Sequence, residues 1–301
     1  MPPRSIGRHD NVPKGLLITL IGGLLFTFDL PLLRLANGEM WSLIFARGML
    51  MFIAISVVWL AQRQSSGSRA PYIAGLAGLV VCFTSTIANM SFIGAIAETS
   101  AANIVFITAL IPVLTAIMAR FVIGENVPLW TWVATGVALI GVSIIVWDGM
   151  GNGTALGDLL ALLSAVCTAF AFTIIRASGE NLVTSLAVGS LGAAMIAFMF
   201  FDASLTGLGS YGWYWVALNG LLVIPIATAL MAMGPRLLPS ADVSMFFLLE
   251  TTLTPVWIWL IFGETPGRGT MIGGAIVITA LLAHSYWRFT RSLNNATPAG
   301  A

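Results

Sequence analysis

Charged residues are scarce in this sequence, and their scarcity excludes most classes of protein. Only 8% of the 301 residues are charged, whereas 58% are hydrophobic. An ordinary soluble domain carries roughly 25% charged residues, so this chain has too few to cover a soluble fold. Each membrane-spanning helix needs about 20 mostly apolar residues, and the chain is almost continuously apolar between short polar breaks. We therefore predict an all-α integral membrane protein.

An excess of charge of one sign is also lacking. Thirteen Lys and Arg against twelve Asp and Glu leave a net charge of +1. No basic face for nucleic acid and no acidic tail for a basic partner is indicated. The bilayer and a small-molecule substrate are the expected partners, and the sequence predicts no oligomeric state.

Catalytic and metal-binding motifs are absent as well. The sequence has no His-Glu-x-x-His motif, Walker loop, paired-aspartate motif or nucleophile elbow. The two cysteines, Cys82 and Cys167, lie inside apolar stretches and are interpreted as packing residues. His9 and His284 are expected at a surface or interface. An enzyme is therefore not expected, and neither is a cofactor or a metal.

Ten apolar stretches have the length of a spanning helix. They do not alternate apolar with polar residues, as the strands of a membrane barrel do. With boundaries uncertain by about 2–4 residues, the predicted spans are 15–33, 40–60, 72–94, 100–122, 129–147, 157–175, 183–201, 212–233, 241–262 and 269–287.

Basic residues predict the orientation of these ten spans. Lys and Arg are enriched in cytoplasmic loops. If the N-terminus is inside, two arginines, Arg34 and Arg268, lie outside, and ten basic residues lie inside: Arg4, Arg8, Lys14, Arg63, Arg69, Arg120, Arg176, Arg236, Arg288 and Arg291. We predict a multi-pass protein of the cell (inner) membrane with both termini cytoplasmic.

The sequence also repeats itself. A shift of 139 residues places Gly124-Glu125 on Gly263-Glu264 and Asn103 on Asp242. A shift of 142 residues places Gly15 on Gly157, Phe28 on Phe170 and Arg34 on Arg176. Each half would hold five helices, and because five is odd the second half enters the membrane with opposite polarity. Inverted repeats are typical of secondary transporters, whose substrate site lies near the midplane.

The predicted domains follow this duplication. The first five-helix repeat covers 15–148 and the second 157–288, with a linker at 149–156. Cytoplasmic tails at 1–14 and 289–301 complete the chain.

Two five-helix halves, each with a fourth helix that ends in Gly-Glu, resemble the ten-helix EamA-type branch of the drug/metabolite transporter superfamily. The resemblance covers about residues 15–288. It implies export of amino acids or similar small metabolites from the cytoplasm. One departure is that Pro112 of the first half corresponds to Thr251, while the second-half proline is Pro255, one turn later.

Three charges, Asp29, Arg47 and Glu250, are predicted within the membrane. A charge at the bilayer centre costs at least about 2.5–3.5 kcal/mol, so a charge kept there faces protein or a water-filled cavity. Glu250 is interpreted in one of two ways. It either contacts a substrate ammonium group or serves as a proton-coupling site, or it is a protonated acid that is hydrogen-bonded within the bundle. Asp29 and Arg47 are interpreted as a structural ion pair, with an outer gate or recognition of a substrate carboxylate by Arg47 as alternatives.

Other candidates are polar, aromatic and helix-breaking residues at cavity depth. A proline inside a helix removes a backbone hydrogen bond and frees a carbonyl group. The candidate hinges are Pro112, Pro225 and Pro255, and the candidate substrate contacts are Phe28, Asn89, Asn103, Thr108, Phe170, Thr173 and Trp257. Each also has a structural interpretation, as a packing kink or an interhelical hydrogen bond.

The predicted function is a secondary transporter that works by alternating access, with proton-coupled and facilitated movement both left open. The main alternative is a channel or facilitative pore, because a kinked polar pathway can conduct. No ring of charges or carbonyl filter is visible in the sequence, and this favours a carrier.

Overall fold

The computed structural model describes residues 12–66, 71–99, 101–147, 154–263 and 267–296. Several positions used above lie outside these ranges. They are Arg4, Arg8, His9, Arg69 and Glu264, residues 149–153 of the predicted linker and residues 297–301 of the C-terminal tail.

The described chain is helical, and no strand occurs in these ranges. The first seven helices are α1 (Val12–Phe26), α2 (Asp29–Ala36), α3 (Met40–Ser66), α4 (Gly75–Glu98), α5 (Ala101–Thr108), α6 (Ile111–Val122) and α7 (Leu129–Trp147). The next seven are α8 (Ala155–Ser178), α9 (Val183–Phe200), α10 (Ser210–Leu218), α11 (Ile224–Leu237), α12 (Ser240–Ser244), α13 (Leu248–Phe262) and α14 (Arg268–Ala296).

Within the described residues, seven helical segments are long and apolar enough to cross a membrane. They are Val12–Ala36, Met40–Ser65, Gly75–Ala95, Ala155–Ser178, Val183–Phe200, Tyr211–Leu237 and Ser240–Phe262. Two shorter apolar helices, Ile111–Val122 and Leu129–Ile144, coincide with predicted spans four and five. The tenth predicted span lies inside α14. An all-helical chain with seven candidate membrane spans is thus observed among the described residues, while the count of ten spans stays a prediction.

Four of the predicted spans are interrupted. A turn at 27–28 separates α1 from α2, and a turn at 109–110 separates α5 from α6. A π-helical segment, Asn219–Val223, joins α10 to α11. A 3-10 turn, Met245–Phe247, joins α12 to α13. These interruptions place irregular backbone inside the bundle, where it needs protein partners or a cavity because lipid offers no hydrogen bonds.

Left-handed residues end several of the helices. Gly179 ends α8 with φ +64°, and Gly263 ends α13 with φ +73°. Glycine adopts this conformation without the steric penalty of a Cβ atom, so it is the usual residue just beyond a helix C-terminus. The amide of Gly263 donates to the carbonyl of Trp259, four residues earlier, and closes the last turn.

Helix packing is arranged in pairs. The most extensive contacts join α4 to α8, α7 to α14, α3 to α9 and α1 to α11. Small residues lie at these crossings. An added Cβ at Gly48 of α3 would lie 2.6 Å from the carbonyl oxygen of Ser190 on α9, so the two backbones touch, as small residues permit in membrane helices.

The bundle has two chemically distinct ends. The end called basic here carries Arg63, Arg120, Arg176, Arg236 and Arg288. It is tied together by contacts such as Arg236 Nε to the carbonyl of Gly179, at 3.2 Å. The opposite end, called distal here, joins the hydroxyl of Thr154 to the carbonyl of Glu98 at 2.8 Å. Each spanning segment runs between these two ends.

Candidate functional site

The break between α1 and α2 is explained by a proline four residues further along. Pro31 has no N–H to donate to the carbonyl of Thr27, and its ring crowds that carbonyl. Two residues of α13 bond to Thr27 instead. The Thr254 hydroxyl donates to its carbonyl at 3.3 Å, and Trp257 Nε1 donates to its hydroxyl at 2.8 Å. The break is therefore held by α13, and it places Asp29 in the first turn of α2.

Asp29 is the centre of a buried polar cluster. Its Oδ2 lies 2.6 Å from Nη2 of Arg47 on α3, so the ion pair that the sequence predicts is present. Its Oδ1 accepts a hydrogen bond of 2.8 Å from the side-chain amide of Asn219. Asp29 is 6% exposed and Asn219 is fully buried. A carboxylate at the start of a helix is also stabilised by the positive end of the helix dipole.

Glu250 lies in the first turn of α13, directly after the 3-10 turn. It lines the same cavity as Asp29 and Arg47. Across the described chain, its carboxyl group makes no hydrogen bond and no ion pair with protein. A partly buried acidic group without a protein partner in a mostly apolar cavity is costly, so this position is suited to a cation or a proton.

The cavity that these three charges line has a volume of about 310 Å³. Besides the charges, it is bordered by hydroxyl, amide and apolar side chains. The polar members are Asn89, Thr99, Thr108, Ser164, Thr168, Thr251 and Thr254, and the apolar members are Phe26, Leu30, Leu33, Ala88, Phe92, Ile104, Ile111 and Phe247. Mostly apolar walls with a few convergent polar groups are typical of small-molecule sites, and this volume is at the lower end of their range of about 300–1,000 Å³.

Aromatic rings close the cavity toward the basic end. Phe247 packs against Phe26 with ring centroids 5.5 Å apart and against Phe172 with centroids 5.4 Å apart. Phe172 lies one turn beyond Thr168 along α8, nearer the basic end. Thr99 and Leu33 line the cavity on the distal side of Glu250. The cavity thus extends from its aromatic floor toward the distal end.

Not every predicted contact residue lines this cavity. Asn89 and Thr108 do, whereas Phe28 and Trp257 stack on each other with centroids 4.4 Å apart. Thr173 is fully buried and donates to the carbonyl of Ala169 at 2.9 Å. Phe170 is partly buried and does not border the cavity.

Asn103 has a different partner. Its side-chain amide donates to Asp158 of α8 at 3.0 Å, and Thr99 donates to the same carboxylate at 2.7 Å. These contacts attach the first turn of α5 to α8 near the distal end.

The three candidate hinge prolines differ in their surroundings. Pro112 follows the turn at 109–110 and lies in the first turn of α6. Pro225 follows the π-helical segment and lies in the first turn of α11. Pro255 lies inside α13, which continues through it to Phe262. Pro31 follows the break between α1 and α2 and was not among the candidate hinges, although it is also a proline inside a predicted span.

A second polar cluster lies near the basic end. Asp242 of α12 contacts His284 Nε2 of α14 at 3.3 Å and also pairs with Arg288. The Thr131 hydroxyl of α7 donates to Asp242 at 3.1 Å. The side chains of Asp242 and His284 are each 1% exposed, so of the two positions expected for His284, surface or interface, its side chain lies at an interface between helices.

Sequence reasoning missed part of the site. Ser164 and Thr251 were not in the candidate set, and neither was the aromatic floor at Phe247. The sequence does indicate Asn219 as a polar side chain within an apolar span, where an interhelical hydrogen bond is expected, but it does not identify Asp29 as the partner. Phe247 has no such signal, since one phenylalanine in an apolar helix resembles any other.

The model of one known protein family matches two segments that together cover most of the chain. The model of the EamA-like transporter family matches residues 13–147 and again residues 155–286. The chain belongs to the EamA-like transporter family. The resemblance read from the sequence is therefore confirmed.

Individual relatives are more distant. An uncharacterized transporter of Synechocystis sp. is 22% identical over 61% of this chain and 57% of its own length. An S-adenosylmethionine uptake transporter of Rickettsia felis is 24% identical over 70% of this chain and 71% of its own length. The chain thus spans little more than half of the first relative.

A protein of known crystal structure has a similar fold. It superimposes with a TM-score of 0.76 and covers 91% of this chain and 98% of its own, at 14% sequence identity. At that identity the likeness concerns the fold alone.

Proposed function

We propose that this transporter is a secondary carrier that exports amino acids or related small metabolites by alternating access around the cavity of Asp29, Arg47 and Glu250. The observation that carries the proposal is the carboxyl group of Glu250, which has no protein partner among the described residues and lines a cavity between candidate membrane spans. A substrate ammonium group satisfies that carboxylate when bound, and a proton satisfies it when the site is empty.

The duplicated architecture supports alternating access. The family model matches the chain twice. Under the 139-residue shift, the 3-10 turn Met245–Phe247 falls on residues 106–108, directly before the break between α5 and α6. The fourth helix of one half and the fourth of the other are thus interrupted at corresponding places.

The pattern of helix packing is also symmetric between the two halves. If each helix is replaced by its counterpart in the other half, the α4–α8 contact becomes the α1–α11 contact, while the α3–α9 and α7–α14 contacts stay the same. These four contacts are the most extensive in the bundle. This symmetry supports two inverted five-helix repeats, a construction in which one half rocks against the other around a fixed site.

The distribution of charge supports an orientation. The basic end carries most of the described arginines and is assigned to the cytoplasm. The aromatic floor then separates the cavity from the cytoplasm, and the cavity extends toward the outside. An outward-facing carrier of an inner membrane, with both termini cytoplasmic, fits this arrangement.

Purified protein in proteoliposomes tests the proposal. We expect saturable uptake and counterflow for one or more of the twenty L-amino acids, with and without a pH gradient. S-adenosylmethionine belongs in the same panel because of its named relative. Non-saturating, voltage-driven current would instead indicate a channel, and comparison of inside-out with right-side-out vesicles gives the direction.

Replacement of Glu250 by Gln tests the role of the carboxylate. Gln keeps the size of the side chain but carries neither a negative charge nor an exchangeable acid proton. We expect transport, or its dependence on pH, to change while the protein stays folded. Glu180→Gln is the matched control, because Glu180 is exposed and far from the cavity lining. Wild-type transport by Glu250→Gln at every pH contradicts the proposal.

A further inference from the structure

Asn219 is an amide that is fully buried in the spanning part of the bundle and directed at Asp29. Its Nδ2 donates to Oδ1 of Asp29 at 2.8 Å and lies 3.3 Å from the backbone carbonyl of the same residue. Asn219 does not border the cavity, whereas Asp29 and Arg47 do. Any influence it has on a substrate therefore passes through that ion pair.

The local backbone explains how Asn219 reaches Asp29. Asn219 begins the π-helical segment, and Gly220 follows it against α3. An added Cβ at Gly220 would lie 2.9 Å from the Cβ of Leu50 and 3.1 Å from the carbonyl oxygen of Arg47. Single turns of π-helix often occur at functional sites. Here the segment holds Asn219 close to the helix that carries Arg47.

The two oxygens of Asp29 are divided between two partners. Asn219 donates to Oδ1, and Arg47 Nη2 donates to Oδ2. With Oδ1 directed at Asn219, Asp29 bonds to the guanidinium through Oδ2 only in this arrangement. A guanidinium has five N–H donors and binds a carboxylate best through two of them. Arg47 borders the cavity, and its Nε makes no hydrogen bond within the described residues, so the guanidinium has donors beyond the one that Asp29 uses.

The cavity then has two separate charged positions. Arg47 is held by Asp29 on one side, and Glu250 has no protein partner within the described chain. A molecule with both a carboxylate and an ammonium group complements both positions. An amine without a carboxylate complements only Glu250.

We infer that Asn219 is a positioning residue that, through Asp29, holds Arg47 ready for a substrate carboxylate and so makes the cavity select zwitterionic amino acids over amines that lack a carboxylate. The inference rests on the proposed function. If Asn219 cannot donate, Asp29 is free to bind Arg47 through both oxygens, and Arg47 loses donors for the substrate.

The test compares an amino acid with its own methyl ester. The twenty L-amino acids are first ranked by counterflow in proteoliposomes, and the best substrate is paired with its ester, which keeps the ammonium group and the side chain. We expect wild type to favour the acid by about tenfold or more in kcat/KM, as expected for a charge-assisted contact. In Asn219→Leu the KM for the acid should rise about tenfold, with the ester within about twofold of wild type.

Two further variants keep the test decisive. Asn219→Ser is smaller and polar, and it should lose the same selectivity because its hydroxyl is too short to reach Oδ1. Leu222→Ala is the matched control, since Leu222 belongs to the same π-helical segment and is 53% exposed. It should keep the wild-type ratio of acid to ester.

The outcomes separate the two proposals. A ratio that falls toward one in both Asn219 variants supports the positioning role. An unchanged ratio, or an equal loss for acid and ester in folded protein, overturns that role and leaves the proposed function in place. If wild type moves no amino acid, amino-acid transport within the proposed function fails, and the zwitterion site fails with it.

Discussion

Nη2 of Arg176 lies 3.1 Å from Oε1 of Glu125, and this ion pair joins the two halves of the chain at the basic end. Arg176 lies in the last turn of α8, and Glu125 lies between α6 and α7. The same arginine donates through Nη1 to the carbonyl of Pro235 at 3.0 Å. Both side chains of the pair are mostly buried. The pair lies beyond the aromatic floor of Phe247, between the cavity and the basic end, and we expect it to help close the cavity at that end.

Reversal of this pair should expose the cavity from the basic end. In Glu125→Arg two arginines face each other, and we expect the closed arrangement to be lost. In the double variant Glu125→Arg with Arg176→Glu the pair is restored, although the bond to Pro235 is not, so recovery should be partial. Accessibility is measured at Thr168→Cys, after replacement of the two buried thiols, Cys82 and Cys167, by Ala.

A membrane-impermeant maleimide, applied to each side of oriented vesicles, gives the labelling rate at the introduced cysteine. We expect labelling from the basic side to rise severalfold in the single variant and to fall again in the double variant. Equal labelling in all three proteins contradicts a closing role for the pair.

The carbonyl of Thr27 should depend on Thr254. In Thr254→Val a methyl group replaces the hydroxyl that donates to this freed carbonyl, and a buried acceptor without a partner costs about 1–3 kcal/mol. We expect a lower melting temperature in detergent. Thr279→Val is the control, because the exposed Thr279 hydroxyl only bonds within its own helix, to Ala275. Equal melting temperatures for the two variants would show that Thr254 does not hold the break.

How much the sequence predicts depends on whether the signal is local. The length of the apolar stretches and the repeated motifs predict the helices, the family and the three intramembrane charges, because each of these signals lies within short stretches of sequence. The short connection between α2 and α3 also predicts the pair of Asp29 with Arg47. These features depend on neighbours in the chain.

Long-range partners are different. Asn219 meets Asp29 across 190 positions, and Thr131 meets His284 across 153. No local pattern specifies such pairs, since they arise only when helices from the two halves pack. For the same reason the sequence suggests Asn103 as a substrate contact, while the structure joins it to Asp158.

Asp242 should be essential for stability near the basic end. Asp242→Asn removes the negative charge that faces Arg288 and His284, and it leaves the arginine without its partner. Breaking a buried pair from one side typically costs about 3–5 kcal/mol. Thermal unfolding in detergent measures the effect. Arg291→Leu is the control, because that exposed arginine lies over the ring of Trp287 and its side chain has no hydrogen bond or ion pair among the described residues, and its loss should cost about 1 kcal/mol or less. Similar melting temperatures for both variants contradict the assignment.

Two glycines should respond in opposite directions to the same substitution. Gly48 of α3 lies where a Cβ would be 2.6 Å from the carbonyl oxygen of Ser190, so Gly48→Ala must separate α3 from α9. Gly136 of α7 has no atom within 4 Å of its Cβ position. Because alanine is a better helix former, Gly136→Ala should stabilise the fold by about 0.5–1 kcal/mol.

The pair of variants separates packing from helix propensity, since both add one methyl group to a helix interior. We expect the melting temperature to fall for Gly48→Ala and to rise slightly for Gly136→Ala. Gly48→Ser should be worse than Gly48→Ala, because the hydroxyl adds volume at the same contact. A rise in melting temperature for Gly48→Ala would mean that α3 and α9 do not approach this closely. Such a result would contradict the close packing of the two halves where α3 crosses α9.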